Sequence, residues 1–133
     1  MRNKMLTFLM AITLIPSLTM AGDFLTGEEY KLTFCDTTSK GENIKSGWTF
    51  NIYINKSCDQ LTVHYLTGKE AGKTITRSLT VYPSGDVCII KNNEEKCEKV
   101  KAESNGVYKR YGRKSGYKEP FIVVNSVESG NQL

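Results

Sequence analysis

The chain of 133 residues contains a single histidine, His64, and no Gly-x-Ser-x-Gly motif. Nucleophilic catalysis normally needs a base beside the nucleophile, and histidine is the usual base. The missing motif is the one that exposes a catalytic serine at the top of an α/β-hydrolase sheet. His64 alternates with the apolar residues of a predicted strand, so we interpret it as a solvent-facing strand residue. The sequence therefore assigns no catalytic residue.

The sequence also lacks a Cys-x-x-Cys pair and any cluster of cysteine with histidine. Zinc sites are built from such clusters. We therefore predict no metal site and no cofactor. The four cysteines are an even number in a small chain, which is typical of a disulfide framework.

No apolar run reaches the 20 or so residues that a membrane-spanning helix requires. The longest run, Met5–Ile15, follows two basic residues and is typical of a secretory signal peptide. Small residues at Thr19 and Ala21 predict cleavage after Ala21. We therefore expect a signal peptide over residues 1–21 and a periplasmic or secreted mature protein.

The mature chain carries little net charge. The leader holds two of the 18 basic residues and none of the 14 acidic ones, which leaves a formal charge of +2. So weak a charge does not indicate nucleic acid as a partner, and export argues against it. Residues 22–133 suffice for one hydrophobic core but not two, so we expect a single domain. Its last residues, 128–133, are predicted to be a flexible tail.

The spacing of the cysteines predicts their pairing. Cys88 and Cys97 flank a segment centred on Asn92-Asn93, a dipeptide that suits a two-residue hairpin turn because asparagine tolerates positive φ. With the turn there, Cys88 and Cys97 face each other at a non-hydrogen-bonded pair, about 4.5 Å apart between Cα atoms. By exclusion, Cys35 pairs with Cys58.

Local patterns predict a mainly β fold with one short helix. Thr26 and Glu29 have capping-box spacing at the start of a helix from Gly27 to Phe34. Apolar residues then alternate with period two between turn residues. The predicted strands are Thr49–Ile54, Gln60–Tyr65, Thr74–Tyr82, Val87–Lys91, Lys96–Glu103, Val107–Tyr111 and Phe121–Ser126. Seven or eight short strands predict a small antiparallel meander, either a barrel or a sandwich.

Several short motifs resemble a known group of proteins. They are the helix opening Leu25–Glu29, a glycine-aspartate turn leading into Cys88, Cys97 near the end of that hairpin, and the turn at Asn105–Tyr108. Together they resemble small exported bacterial proteins of unknown function that are built on one β domain. The resemblance implies a β fold and brings no activity, cofactor or partner with it.

A narrower similarity concerns the segment Phe24–Gly27 followed by Cys35 after the helix. It is similar to the opening of some periplasmic immunity proteins that neutralise secreted toxins. Those proteins continue as helical domains, whereas this chain continues as predicted strands. An inhibitor or immunity-type protein against a secreted toxin or enzyme is kept as one alternative function.

One segment, Tyr108–Lys118, interleaves five basic residues with three tyrosines. The rest of the mature chain has 11 basic and 14 acidic residues, so positive charge concentrates here. Such a composition suits an anionic partner, and the alternative is an ordinary solvated hairpin. The predicted anion-binding residues are Lys109, Arg110, Arg113, Lys114 and Lys118.

Two further residues stand out. Arg77 alternates with the apolar residues of its predicted strand, and an inward arginine must be paired or bind an anion. A bulge that reverses the strand's faces, or an edge position from which the side chain reaches solvent, would also explain it. Trp48 lies at a strand entrance and is expected to pack in the core, whereas an exposed tryptophan would indicate a binding surface.

Paired carboxylates would be the remaining route to catalysis, as in glycoside cleavage. Glu28 and Glu29 are explained by helix capping, and Glu94, Glu95 and Glu98 lie on or near one hairpin. A carboxylate-dependent hydrolase is therefore a second alternative. We expect instead a binding module without catalysis, whose partner is an anionic polymer, a membrane surface or a protein.

Processing of the leader is directly testable. Exported material should begin Gly22-Asp23-Phe24, because Ala21 is the last small residue before a polar sequence. N-terminal sequencing of the exported protein checks this. Exported protein that still carries Met1 would contradict the prediction.

Overall fold

A computed structural model describes residues 23–133, so the predicted signal peptide lies outside the described residues. One helix precedes eight strands. The elements are α1 (Gly27–Phe34), β1 (Thr37–Asn43), β2 (Thr49–Ile54), β3 (Gln60–Tyr65), β4 (Thr74–Val81), β5 (Val87–Lys91), β6 (Glu94–Ala102), β7 (Tyr108–Gly112) and β8 (Pro120–Ser129). Short 3-10 turns follow β6 at Ser104–Gly106 and β7 at Arg113–Ser115. Within residues 23–133, no helix is long and apolar enough to cross a membrane.

The eight strands form a closed antiparallel barrel in which each strand pairs with its neighbours in sequence and β8 returns to β1. This confirms the predicted β meander and selects the barrel over the sandwich. Seven strands lie close to their predicted positions. The eighth, β1, is missing from the prediction because its sequence, Thr-Thr-Ser-Lys-Gly-Glu-Asn, has no apolar alternation.

Strand β1 exists because it pairs on both sides, with β2 and with β8. Its inward positions carry small residues, and Ser39 and Gly41 are both buried. A Cβ on Gly41 would lie 2.5 Å from the ring of Phe50, so the missing side chain leaves the space that this ring fills. A polar strand can therefore close an apolar barrel because the facing strand supplies the side-chain volume.

Helix α1 covers one end of the barrel. Its capping box is present as predicted, since Thr26 accepts a hydrogen bond from the Glu29 amide and Glu29 accepts one from the Thr26 amide. Tyr30 and Phe34 are buried and stack on each other at 4.8 Å between ring centroids. Phe34 also meets Tyr108 of β7 edge to face. The helix thus extends the hydrophobic core beyond the ends of the strands.

Both predicted disulfides are present. Cys88 and Cys97 are register partners in the β5–β6 hairpin and are bonded, with Cα atoms 4.0 Å apart. Asn92 and Asn93 form the turn with φ values of 53° and 63°, which matches the predicted hairpin geometry. Cys35 at the end of α1 is bonded to Cys58 before β3. Two disulfides are typical of proteins in an oxidising environment.

A charged pair lies inside the barrel. Glu98 of β6 and Arg110 of β7 form a bidentate ion pair, and their side chains are only 14% and 15% exposed. Burial disfavours the charged guanidinium, but the Glu98 carboxylate outweighs burial and raises the pKa of Arg110. Burial, reinforced by Glu98, also raises the pKa of the Tyr30 hydroxyl. The interior therefore holds the Glu98–Arg110 ion pair and the protonated hydroxyl of Tyr30.

Little empty space remains around this pair. The cavity lined by Tyr30, Ser39, Glu98 and Arg110, together with apolar strand residues, measures about 30 Å³. That is room for about two water molecules. Sites for small organic ligands typically measure about 300–1,000 Å³. The barrel is therefore filled by its own side chains.

The end of the chain differs from the expected tail. Strand β8 continues to Ser129, and Glu128 pairs with Thr38 of β1. The Gly130 amide donates to the Asp36 carbonyl at 2.8 Å, and the Gln132 amide donates to the Thr38 hydroxyl at 2.8 Å. The first residues of segment 128–133 are thus held by the strand that closes the barrel.

The interior ion pair should dominate the response of this fold to single substitutions. Glu98→Gln leaves the Arg110 charge buried without a counterion, which should lower the free energy of unfolding by about 3–5 kcal/mol. The double change Glu98→Leu with Arg110→Met removes both charges and should restore most of that loss. Urea unfolding of the three proteins measures both effects.

A matched control breaks an exposed ion pair instead. Lys96 and Glu94 lie 2.8 Å apart on the same hairpin with most of their side chains in solvent. Lys96→Gln should leave the free energy of unfolding almost unchanged, because exposed pairs are screened by water. Equal destabilisation by Glu98→Gln and Lys96→Gln would contradict a dominant interior pair.

Candidate functional site

The basic segment Tyr108–Lys118 is divided between the two sides of the barrel wall. Tyr108 and Arg110 face the interior, and Lys109 and Tyr111 alternate with them on the exterior. The structure therefore corrects the prediction for Arg110, whose charge is neutralised by Glu98 inside the barrel. Alternation along β7 is the physical reason, because neighbouring residues of a strand point to opposite faces.

The remaining basic residues of the segment are exposed. Arg113 and Lys114 lie in the 3-10 turn after β7, and Lys118 follows in the connection to β8. Of the basic residues on the exterior of this segment, Lys109 alone lies on a strand. Arg113, Lys114 and Lys118 thus belong to a loop. Lys109 is the one that has another cation opposite it on a neighbouring strand.

Strand β6 brings two further lysines beside Lys109. In the β6–β7 register, Lys101 lies opposite Lys109 and Lys99 lies opposite Tyr111. Phe24, at the start of the described chain, forms a bridge with Lys101. We call this exterior surface the lysine–aromatic face. It consists of Phe24, Lys99, Lys101, Lys109, Tyr111 and Tyr117.

Three aromatic rings form the base of the lysine–aromatic face. Phe24 meets Tyr111 and Tyr117 edge to face, with ring centroids 5.5 Å and 6.0 Å apart. The Lys101 ammonium lies 4.7 Å from the Phe24 ring and 5.0 Å from the Tyr111 ring. The Lys99 ammonium lies 5.2 Å from the Tyr117 ring. The electron-rich ring faces hold both ammonium groups in place.

The cations of this face lack acidic partners at close range. Among residues 23–133, no carboxylate lies within 4.0 Å of the ammonium of Lys99, Lys101 or Lys109. Like charges directly opposite each other on a sheet are destabilising, and Lys101 opposite Lys109 is such a pair. The face therefore concentrates positive potential, which the Asp86 carboxylate near Lys99 offsets only in part.

Tyr117 is held in place by a small polar network. Its hydroxyl donates to Asp86 at 2.5 Å and accepts from Arg113 at 3.2 Å. The residue has a positive φ of 61°, a conformation that a bulky side chain adopts only when its surroundings hold it there. The network thereby connects the β7–β8 loop to the turn before β5.

The Asp86 carboxyl is the ionised centre of this network. Burial alone would raise its pKa, but hydrogen bonds from Tyr117 and Ser84 and the nearby charges of Lys99 and Arg113 outweigh burial. The pKa of Asp86 is therefore below its ordinary value. Burial, reinforced by the bond to Asp86, raises the pKa of Tyr117. At neutral pH the pair is a carboxylate accepting from a phenol.

Arg77 has the inward position that the sequence predicts. It lies opposite Leu61 in an unshifted β3–β4 register, so no bulge reverses the faces of β4 here. Strand β4 pairs with β5 only over Leu79–Val81, which leaves Arg77 beyond the paired region and partly buried. In the described part of the chain, the Arg77 side chain forms neither an ion pair nor a hydrogen bond. It lies on a different part of the wall from the lysine–aromatic face.

Several carboxyl groups of the described chain are held by neighbouring cations or hydroxyl groups. Glu98 is bound by Arg110, Glu94 by Lys96, and Glu95 accepts from the Tyr82 hydroxyl. A general acid needs a raised pKa. Hydrogen bonds with charged or polar neighbours instead lower the pKa of Asp59, Glu70 and Glu94.

The histidine and the cysteines considered as catalytic or metal-binding residues also have partners in the described chain. His64 exchanges a hydrogen bond with Thr74 at 2.9 Å on the exterior of the sheet. Cys88, Cys97 and Glu95 bring potential metal-ligand atoms within 4.8 Å of one another. Both sulfur atoms belong to the disulfide, however, and metal binding requires thiolates.

Sequence reasoning missed Lys99, Lys101 and Phe24 as members of the site. One signal was available, because Lys99 and Lys101 alternate with Glu98 and Val100 and so share a face. Their contact with Lys109 depends on the β6–β7 register, and that of Phe24 depends on the path of the chain before α1.

Comparisons with known proteins add no functional assignment. No protein-family model, no curated protein and no solved structure matches this chain. Function is therefore inferred from the geometry of the chain's own residues.

Stability should depend on the ionisation of Asp86 at low pH. The folded-state pKa lies below the unfolded value of about 3.9, so this carboxylate stabilises the fold above that pH. The contribution is lost as the pH falls through the folded pKa. Asp86→Asn removes it at every pH.

Unfolding free energies at a series of pH values between about 6 and 2 check this expectation. The difference between wild type and Asp86→Asn should be largest at the upper end of this window and should shrink towards its lower end. A constant difference across the window would show that the charge of Asp86 is not involved.

Proposed function

We propose that this protein is a non-catalytic binding module that takes up an anionic polymer on the lysine–aromatic face. The observation that carries the proposal is the cross-strand pairing of Lys101 with Lys109 in the β6–β7 register. Their like charges repel each other in the free protein, and a bound anion would relieve that repulsion. Binding therefore gains free energy from a feature that costs stability in the absence of ligand.

The spacing of the cations favours a ligand with several charges. Lys99 and Lys101 are two residues apart on one strand, about 7 Å, and Lys109 is about 5 Å from Lys101 between Cα atoms. A ligand that carries several negative groups along its length can contact more than one of these ammonium groups at once. Sulfated or carboxylated sugar chains carry negative groups at comparable intervals. The aromatic rings hold two of the cations in position, which lowers the entropy lost on binding.

The small volume of the interior cavity favours binding on the exterior of the barrel over transport of a small molecule inside it. A cavity of about 30 Å³ is far smaller than the volume that a carrier needs for its ligand. Four of the five carboxylates considered for catalysis, Glu29, Glu94, Glu95 and Glu98, are engaged in ion pairs, hydrogen bonds or the helix cap, which speaks against the hydrolase alternative. Binding by the exterior wall requires neither a cavity nor a catalytic group.

The proposal predicts retention on an anionic matrix. The triple change Lys99→Ser, Lys101→Ser and Lys109→Ser should weaken binding to heparin by roughly 100-fold at low salt, taking about 1 kcal/mol for each lysine near an anionic surface. Wild-type binding should weaken as salt rises, since exposed charges are screened. Affinity chromatography with a salt gradient, followed by calorimetric titration, measures both effects.

A control with the same change in net charge isolates the geometry of the face. Lys31, Lys40 and Lys69 are exposed on α1, on β1 and in the β3–β4 connection. Replacing these three with serine should reduce retention only slightly. Equal losses in the two triple variants would show that net charge alone drives binding, and this face would then have no special role.

A further inference from the structure

Exposed apolar side chains gather at the end of the barrel away from α1. Five of the eight large apolar residues with high exposure in the described chain lie at this distal end. They are Ile44, Trp48, Leu66, Ile90 and Phe121, with exposures between 38% and 47%. Trp48, expected in the core, instead lies over Gly68 at the rim. A cluster of this kind marks an interaction surface.

A concave groove runs through part of this cluster. It has a volume of about 850 Å³ and lies between the β1–β2 turn, the β5–β6 hairpin and the β7–β8 loop. Ile44 and Phe121 form its apolar part and are joined by a backbone hydrogen bond of 3.0 Å. Gly112 contributes no side chain, and its missing Cβ would lie 3.8 Å from the Phe121 ring. Its volume lies within the range of about 300–1,000 Å³ that is typical of ligand-binding clefts.

The groove has a positive electrostatic balance. Its walls carry the cations Lys45, Lys96, Arg113 and Lys114 and the acids Glu95 and Glu119. Glu95 accepts from the Tyr82 hydroxyl, and Lys96 is paired with Glu94. Within the described residues, no carboxylate lies within 4.0 Å of the ammonium of Lys45 or Lys114. Complementary charge would therefore come from an acidic ligand.

The closed barrel restricts how a partner can be recognised. Every described strand has two neighbours, and only a short stretch of β4 before Leu79 is not paired with β5. Strand addition therefore has little exposed edge to use, which favours recognition through side chains such as those of the distal end. A concave surface between loops suits a protruding segment of a protein, whereas insertion into a bilayer requires a protruding apolar tip.

From these observations we infer that the distal groove docks an acidic segment of a partner protein. A large apolar side chain of that segment would pack between Ile44 and Phe121, with its carboxylates directed to Lys45 and Lys114. This second site adjoins the lysine–aromatic face at the β7–β8 loop but uses different side chains, and the inference does not depend on the function proposed for that face. It is the surface that an inhibitor or immunity-type role would use.

Selection of displayed random peptides on the immobilised mature protein tests the inference. Selected peptides should be enriched in Asp or Glu beside a large apolar residue. Their affinity should fall about tenfold or more in the variant Ile44→Ser, Lys45→Ser, Lys114→Ser. The control variant Lys31→Ser, Leu32→Ser, Lys69→Ser makes the same types of change elsewhere, and its affinity should match wild type. Leu32, 84% exposed on α1, is the apolar counterpart of Ile44.

Several outcomes would overturn the inference. They are a failure to enrich peptides, enrichment of basic peptides, or equal binding by the groove variant and wild type. Loss of peptide binding in the Lys99, Lys101 and Lys109 variant would place the contact on the lysine–aromatic face instead. Binding of phosphatidylglycerol vesicles that is lost in the groove variant, without any peptide binding, would assign the groove to membranes.

Discussion

The pairing of β1 with both β2 and β8 is the contact on which the rest of this structure depends. It closes the sheet, removes the two free edges and determines which side of every strand faces inward. The closing strand is the most polar of the eight and contributes almost no apolar volume. It closes the barrel because Gly41 leaves room for Phe50, and because its backbone hydrogen bonds are satisfied on both sides.

Closure also divides the charges of the molecule into two classes. On β6 and β7, inward positions place Glu98 and Arg110 in a paired and largely desolvated environment. Outward positions of the same two strands bring Lys99, Lys101 and Lys109 together, and within residues 23–133 none of the three has a carboxylate within 4.0 Å. An unpaired charge is costly inside and tolerable outside, because only the exterior is solvated. One pair of strands therefore supplies both an internal ion pair and the external cations on which the proposed anion binding depends.

Both proposed binding sites lie on the surface, since the interior of the barrel is filled by side chains. The lysine–aromatic face and the distal groove differ in chemistry, since one relies on charge held by aromatic rings and the other combines apolar contact with charge. They meet at the β7–β8 loop, where Arg113 lines the groove and also binds Tyr117 of the lysine–aromatic face. Asp86 accepts a hydrogen bond from Tyr117 and so anchors that loop to the turn before β5. The loop is thus the structural element common to both surfaces.

Elements specified by neighbouring residues were predictable from the sequence. The capping box determined helix α1, and Asn92-Asn93 determined the register that brings Cys88 to Cys97. What the tertiary structure alone decided are features that join distant parts of the chain. Strand β1 has no apolar alternation of its own and forms because β8 pairs with it. Arg110 is neutralised by Glu98 on another strand, and Phe24 reaches Lys101 across most of the sequence. Local hydrogen bonding and turn geometry act within a few residues, whereas barrel closure and charge pairing depend on which strands become neighbours.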